Sequence, residues 1–360
     1  MLRRQINYLL GNRYDYFLCY YPGNIGCLIP RLIRRLVNRI NLKEHHIQKI
    51  KDIDPGSLVV YAAKNKRTID FLYFHTKMKS LDLPYPRLGF DFRFFFLLPV
   101  KRLFQTLICH MDYFLHHFSF KDAYSTGYAI DELKAGKTGF VFLIEEGDFY
   151  KRFIKSKPDP LFLLIELQKS VDTSIIIIPE DIIYNTLPIR KNPSLMDIFF
   201  RTPEKPGIIK SLLALWRRSD QIRIELAEPI NLRDFIRRPD IEQLDSEYQA
   251  HQLRNHLVDI LNRQRKSITG PIIKSRQEIT EEILSSKSLR EYLAQYAAEN
   301  RLSLNRTHRR AANYIKEIAV NYKLQVIHLS ALILPWIFKK IFEDVILDLE
   351  GINRMREKST

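Results

Sequence analysis

The chain has 360 residues, 46% of them hydrophobic, and sets 57 Lys and Arg against 41 Asp and Glu for a formal charge of +16. That apolar share supplies a full core and excludes a globally disordered chain; the length admits two or three domains, or one large α/β unit with a helical segment. The positive balance suits an anionic partner, whether phospholipid headgroups, nucleic acid or an acidic carrier protein, and does not by itself choose among them.

Cys19, Cys27 and Cys109 form no C-x-x-C pair and no zinc-ligand spacing, so no metal site is expected and the compartment reads as reducing and cytoplasmic. The N-terminus, Met1 to Asn7, lacks the continuous apolar core of a secretory signal. The longest uncharged apolar run, Leu324 to Phe338, is 15 residues, short of the roughly 18 expected of a membrane-spanning helix. If the protein meets a membrane, the expectation is that it lies on it.

Residues 1–51 carry ten Lys and Arg and two acids and read as a basic amphipathic helical leader. Leu32, Ile33, Leu36, Val37 and Ile40 share one helical face, with Arg31, Arg34, Arg35 and Arg39 largely elsewhere and Pro30 at the helix start. Two readings fit: a helix docked on an anionic bilayer, or a helix packed on the domain with its basic face in water. Residues 52–238 alternate apolar strands (Ser57–Ala62, Gly139–Ile144, Ser174–Ile178, Gln221–Leu226) with helical patterns (Ile69–Lys79, Lys121–Leu133, Leu161–Lys169), which predicts an α/β fold with a helix-covered central sheet. Within it Phe90, Phe92, Phe94, Phe95, Phe96, Leu97 and Leu98 read either as a buried strand or as a contact for an acyl chain or membrane. Residues 239–360 read as an all-α segment interrupted at Thr269-Gly270-Pro271, with a helical stripe from Asn305 to about Glu343 that Pro335 is expected to break or kink. Residues 30–51 and 335–356 also align without gaps, pairing Pro30 with Pro335, Leu42 with Leu347 and Lys51 with Arg356, either as an internal repeat or as two amphipathic helices alike by chance.

The stretch Leu58–Phe74 runs from β-formers through a polar, cationic loop into a helical pattern, with Asp70 in the first helical turn where a carboxylate favours the helix dipole. With its strand, loop and helix, Asn65-Lys66-Arg67-Thr68-Ile69-Asp70 resembles the first motif of the glycerol-3-phosphate acyltransferase family, His-x-x-x-x-Asp, with asparagine in the histidine's place. Gly89-Phe90-Asp91-Phe92-Arg93, the strand ending in Glu146-Gly147, Ile175–Asp181 and Ile222–Ile230 resemble the family's later blocks in order, although the arginine expected two residues beyond Glu146-Gly147 is replaced by Asp148-Phe149. Residues from about Ser267 to Arg356 resemble the helical leader that precedes an acyltransferase domain in this family. The resemblance therefore covers most of the chain, and the order of its parts suggests either the front portion of a two-domain protein or a gene split before its second acyltransferase domain, with that second domain as a partner.

The resemblance implies acyl transfer from acyl-CoA or acyl carrier protein to glycerol 3-phosphate or a lysophospholipid, without a cofactor, at the inner face of the membrane. It places Asp70 and Asn65 at the catalytic positions and Lys66, Arg67, Arg93, Glu146 and Gly147 at the substrate. In this chemistry a histidine takes the acceptor's proton as the hydroxyl attacks the thioester, and the aspartate orients and stabilises that histidine. Asn65 has no titratable nitrogen and can offer only a hydrogen bond. His117…Asp122 repeats the spacing, but no strand leads into it; His75 and His45-His46 are poorly spaced as substitutes. A second reading keeps the fold and membrane contact without catalysis, as a scaffold or regulatory domain for an active partner domain. A nucleic-acid partner is not expected, since no RNP-like, zinc-finger or Gly-rich phosphate signature accompanies the scattered basic residues.

Overall fold

Leu58–Asn65 forms the central strand, β1, and every one of its residues is buried. A strand covered on both faces needs a near-continuous apolar run, and Leu-Val-Val-Tyr-Ala-Ala provides it. The structure, a computed structural model, describes residues 2–11, 13–22, 35, 37–40, 42–144, 159–183, 222–269, 276–284, 286–318 and 324–341. The chain divides into two units, one of residues 1–188 and 202–319 and one of residues 189–201 and 320–360.

In the first unit, helices α1 (Leu2–Leu10) and α2 (Glu44–Lys51) precede β1, followed by α3 (Thr68–Ser80), β2 (Pro86–Gly89), α4 (Val100–His117), α5 (Tyr128–Lys134) and β3 (Thr138–Ile144). Then come α6 (Pro160–Ser170), β4 (Ile175–Ile183), β5 (Arg223–Leu226), β6 (Ile230–Asn231), α7 (Leu232–Ile236), α8 (Pro239–Glu242) and α9 (Ser246–Thr269). The last helices are α10 (Arg276–Leu284), α11 (Lys287–Glu299) and α12 (Leu304–Ile318). The sheet order is β2-β3-β1-β4-β5, with β6 also on β4. β1, β2, β3 and β4 are parallel; β5 and β6 run antiparallel along the outer edge of β4.

Strand periodicity divides the core between two faces. Val59, Tyr61 and Ala63 of β1 join Phe140 and Phe142 of β3 beneath α3. Val60 and Ala62 join Val141 and Leu143 beneath α5, α6 and α9. α9 places Leu253, Leu257 and Leu261 on this second face at helical spacing, each at most 1% exposed. Its Arg254 reaches through to the sheet, donating to the carbonyl of Leu143 at 2.6 Å and pairing with Asp159 at 2.5 Å. The sheet's helical cover thus draws on residues beyond 238.

The helix-covered sheet is the architecture expected from the sequence, and α10, α11 and α12 continue it as helices. Two local expectations change. The phenylalanine-rich stretch is not a strand: β2 ends at Gly89, Asp91 adopts φ 62°, and Phe95–Leu97 is a short 3-10 turn. Phe90, Phe92 and Phe94 are still buried by that turn, which closes so tightly that a Cβ on Gly89 would stand 2.7 Å from the Phe94 ring. The helix read over Lys121–Leu133 starts only at Tyr128, because Asp122 caps a turn through the amides of Tyr124 and Ser125. In the leader, Val37 and Ile40 are each 2% exposed and sit in the core beneath α3, as the packed reading requires; Leu32, Ile33 and Leu36 lie outside the described residues.

Of the second unit, α13 (Leu324–Ile341) is described, and it continues past Pro335. A proline removes one backbone donor, and the apolar helix-compatible residues around this one carry the helix on. In all but one of the pairs formed by residues 30–51 and 335–356, at least one member lies outside the described residues. Among the described residues no helix is long and apolar enough to cross a membrane.

Candidate active site at the carboxyl edge of the sheet

β1 connects to β2 through α3 on one face, whereas β3 connects to β4 through α6 on the other. The order of an open α/β sheet reverses at such a point, and the crevice outside the strands' carboxyl ends is the usual place for a ligand. At that position Asn65, the last residue of β1, lies opposite Ile144, the last residue of β3. Asn65 is 2% exposed, and its Nδ2 has no hydrogen-bond partner among the described residues. A buried amide donor left in this state is costly unless something else meets it.

The loop after β1 turns directly into α3, with Arg67 as its extended N-cap residue and Asp70 in the first turn. Asp70 is fully buried. Arg67 donates from Nε to Asp70 Oδ2 at 2.6 Å and from Nη2 to Asp181 Oδ1 and the Ile182 carbonyl, each at 3.3 Å. Arg265, near the end of α9, donates to the other Asp181 oxygen at 3.2 Å. Two arginines and two carboxylates therefore tie α3, β4 and α9 together beside the site. Lys66 is half-buried, with Nζ 4.8 Å from the centre of the Phe142 ring. That ring meets Phe92 edge-on at 4.8 Å, joining the β2 turn to the loop after β1.

The remaining expected residues divide. Arg93 is exposed on the β2 turn, and among the described residues no hydrogen bond or ion pair joins it to the Asn65–Asp70 loop. Glu146 and Gly147 lie outside the described residues, as do Asp148 and Phe149. The other histidines are engaged elsewhere: His75 donates from Nδ1 to the Pro86 carbonyl at 2.8 Å, and burial brings its pKa down to about 4. His46 lies 3.1 Å from Glu225 on β5, with its pKa lowered chiefly by burial. His117 is exposed at the end of α4, and among the described residues no hydrogen bond or ion pair joins it to this loop.

Sequence reasoning gave no role to Glu180, Asp181 or Arg265. The available signal was two acids inside the apolar strand Ile175–Ile183, an arrangement a buried strand rarely carries without a purpose. Glu180 lies beside Ala63 of β1, fully buried, and neither carboxyl oxygen has a hydrogen-bond partner among the described residues. Its pKa is raised well above the usual carboxylate range, first by burial and then by Asp70 and Asp181, against the opposing pull of Arg67. Among the described residues no group of three His, Cys, Asp or Glu side chains is placed to hold a metal ion. Chemically, the arrangement offers an amide for positioning a hydroxyl, a lysine at half exposure for an anion, and an aspartate bound to an arginine; Asn65 cannot accept a proton.

No protein-family profile matches the chain. The chain is similar to a protein of Shewanella oneidensis named glycerol-3-phosphate acyltransferase, 30% identical over 108 residues that make up 30% of this chain and 13% of that protein. It is also similar to a protein of Ectopseudomonas mendocina with the same name, 23% identical over 217 residues, 59% of this chain and 26% of that protein. The matched stretches thus span about a quarter or less of those relatives.

Proposed function

We propose that this chain is an acyltransferase-like domain of glycerolipid synthesis, acting at an anionic membrane surface. It holds glycerol 3-phosphate or a lysophospholipid, together with an acyl thioester of CoA or acyl carrier protein, at the carboxyl edge of its sheet. One observation carries this reading: the stretch resembling His-x-x-x-x-Asp lies at the strand-order reversal between β1 and β3, with Asn65 buried there and Lys66 beside Phe142. The similarity to proteins named glycerol-3-phosphate acyltransferase supports the same class. In the reaction an acceptor hydroxyl attacks the thioester carbonyl, a C–O bond forms, the C–S bond breaks, and the hydroxyl proton passes to the departing thiolate. Lys66 is assigned to the phosphate and Asn65 to the hydroxyl. Arg93, Glu146 and Gly147 complete the proposed substrate side.

A second reading, a non-catalytic domain that supports an active acyltransferase domain, is favoured by a specific observation. Asp70 is held by Arg67 at 2.6 Å, an alternative to orienting a base, and Asn65 stands where the base would be.

Acyl transfer from labelled acyl-CoA and acyl carrier protein to glycerol 3-phosphate tests both, with the parent, Asn65→His and Asp70→Ala compared. An active domain transfers in the parent and loses the activity in Asp70→Ala. A supporting domain is inactive in the parent and gains activity in Asn65→His. If neither parent nor Asn65→His transfers acyl groups or binds either substrate, the acyltransferase reading fails.

A further inference from the structure

α4 is built with its apolar side outward. Its buried side chains among the described residues are Thr106 and Cys109, whereas Val100, Phe104, Leu107, Met111, Phe114 and Leu115 are between 39% and 70% exposed. At ~100° per residue these six fall within an arc of about 100°, on the side away from Cys109. The stripe does not stop with the helix. Phe118 closes it in the left-handed conformation, φ 49°, and is 85% exposed; Phe120 follows at 82% and packs on Phe114 with ring centres 5.3 Å apart. α1 lies alongside, held by Gln105 donating to the Leu9 carbonyl at 3.0 Å, and extends the surface with Tyr8 and Leu9, 87% and 52% exposed.

The helix is held to the domain by its other side: Cys109 packs with Leu10 and Tyr16, and the Arg102 guanidinium lies 4.1 Å from the centre of the Tyr16 ring. The outward face is therefore presented by a seated helix. An exposed apolar stripe of this length marks an interaction surface, and its charge setting favours one occupant. α4 contains a single acid, Asp112, which lies 3.8 Å from His116, against Lys101, Arg102 and three histidines, in a chain of net charge +16. A seated helix with an outward apolar face, an exposed Lys101 at its start and aromatic residues at its end, on a chain of strongly positive charge, matches the interfacial layer of an anionic bilayer, where apolar side chains sink below the headgroups.

We propose that α4 and the Phe118–Phe120 tip lie in the plane of an anionic bilayer with the Phe104–Met111 face in the acyl-chain boundary, fixing the domain to the lipid surface. This names the element responsible for the membrane contact in the reading above, and rests on that reading for the anionic lipid.

The full chain is mixed with vesicles of phosphatidylglycerol and phosphatidylethanolamine, and separately with phosphatidylcholine, and partitioning is measured by flotation. Phe104→Glu with Met111→Glu changes only exposed positions and should keep the parent circular dichroism while lowering partitioning to the anionic vesicles at least tenfold. Tyr292→Glu, at a residue of α11 60% exposed, should partition as the parent does. In a Phe118→Trp variant, the emission added over the parent should be quenched by lipids brominated on their acyl chains. Parent-like partitioning by the double variant, or an unquenched added emission in vesicle-bound protein, overturns the proposal. So does a parent that ignores vesicles but forms a dimer the double variant dissolves, which would make this face a contact between copies. Acyl transfer measured in detergent separates the two readings: its absence counts against catalysis and leaves the vesicle result standing.

Discussion

The ion pair between Arg67 and Asp70 decides how the site should be read, and its energy can be measured. Asp70 is fully buried and Arg67 is 7% exposed, so water screens the 2.6 Å contact little. Arg67→Met leaves Asp70 without this cation, while Asp181 keeps Arg265 at 3.2 Å; removing one member of a buried pair typically costs about 3–5 kcal/mol. Asp70→Asn keeps the shape, and Arg67 retains Asp181 and the Ile182 carbonyl, so about 2 kcal/mol is expected. With Asn at 70, loss of the arginine no longer strands a buried charge, and the double variant should fall short of the sum of the singles by about 2–3 kcal/mol. Urea unfolding followed by circular dichroism gives all four stabilities. Additivity within about 0.5 kcal/mol would refute the reasoning, since Asp70 would then owe its tolerance of burial to another group.

Other consequences are as direct. His75 is 5% exposed with a pKa of about 4, below the roughly 6.5 of an unfolded histidine, so only the unfolded chain takes up this proton between those values. Its contribution is present above pH ~6.5 and is lost as pH falls toward 4, by up to about 3 kcal/mol. His75→Gln should flatten this part of the stability profile in urea titrations, and an unchanged slope would refute the assignment. Glu180 behaves oppositely: its raised pKa makes the folded state keep a proton that the unfolded chain releases above pH ~4.3, so stability falls as pH rises beyond that point. Glu180→Gln should gain on the parent by up to about 1.4 kcal/mol per pH unit until the folded-state pKa is reached, and parallel melting curves from pH 5 to 8 would rule this out. Leu257→Ala, at a residue with no exposed surface, should lower unfolding free energy by about 2–5 kcal/mol; a loss below 1 kcal/mol would mean that α9 is not part of the core.

The sheet was legible because its strands carry their own pattern. Leu58–Ala62, Gly139–Ile144 and Ile175–Ile178 are apolar runs that only a sheet covered on both faces can bury. The short β2 was not, since Pro86–Gly89 is four residues with no periodicity and owes its strand form to pairing with β3. α4 was not among the helices read from the sequence, and its outward face shows only in the structure, where Cys109 is buried on the opposite side. Within the site, Asn65 and Asp70 were visible from strand, loop and helix order. The rest of the charge cluster was not, because Asp181, which accepts from Arg67, and Arg265, which donates to Asp181, stand more than a hundred residues away in the chain and are brought in by tertiary packing alone.

α9 gives the molecule a schedule as well as a core. During synthesis the last long sheet partner, β5, is complete at Leu226, but Leu261, which helps to cover the second face, is made about 35 residues later. At roughly 5–20 residues per second, the nascent chain spends some seconds with an assembled set of strands and a wet apolar face. Arg265 arrives later still, so the charge cluster at the carboxyl edge closes after the strands are made. A ribosome stalled between these points would hold a sticky intermediate, a natural client for a chaperone.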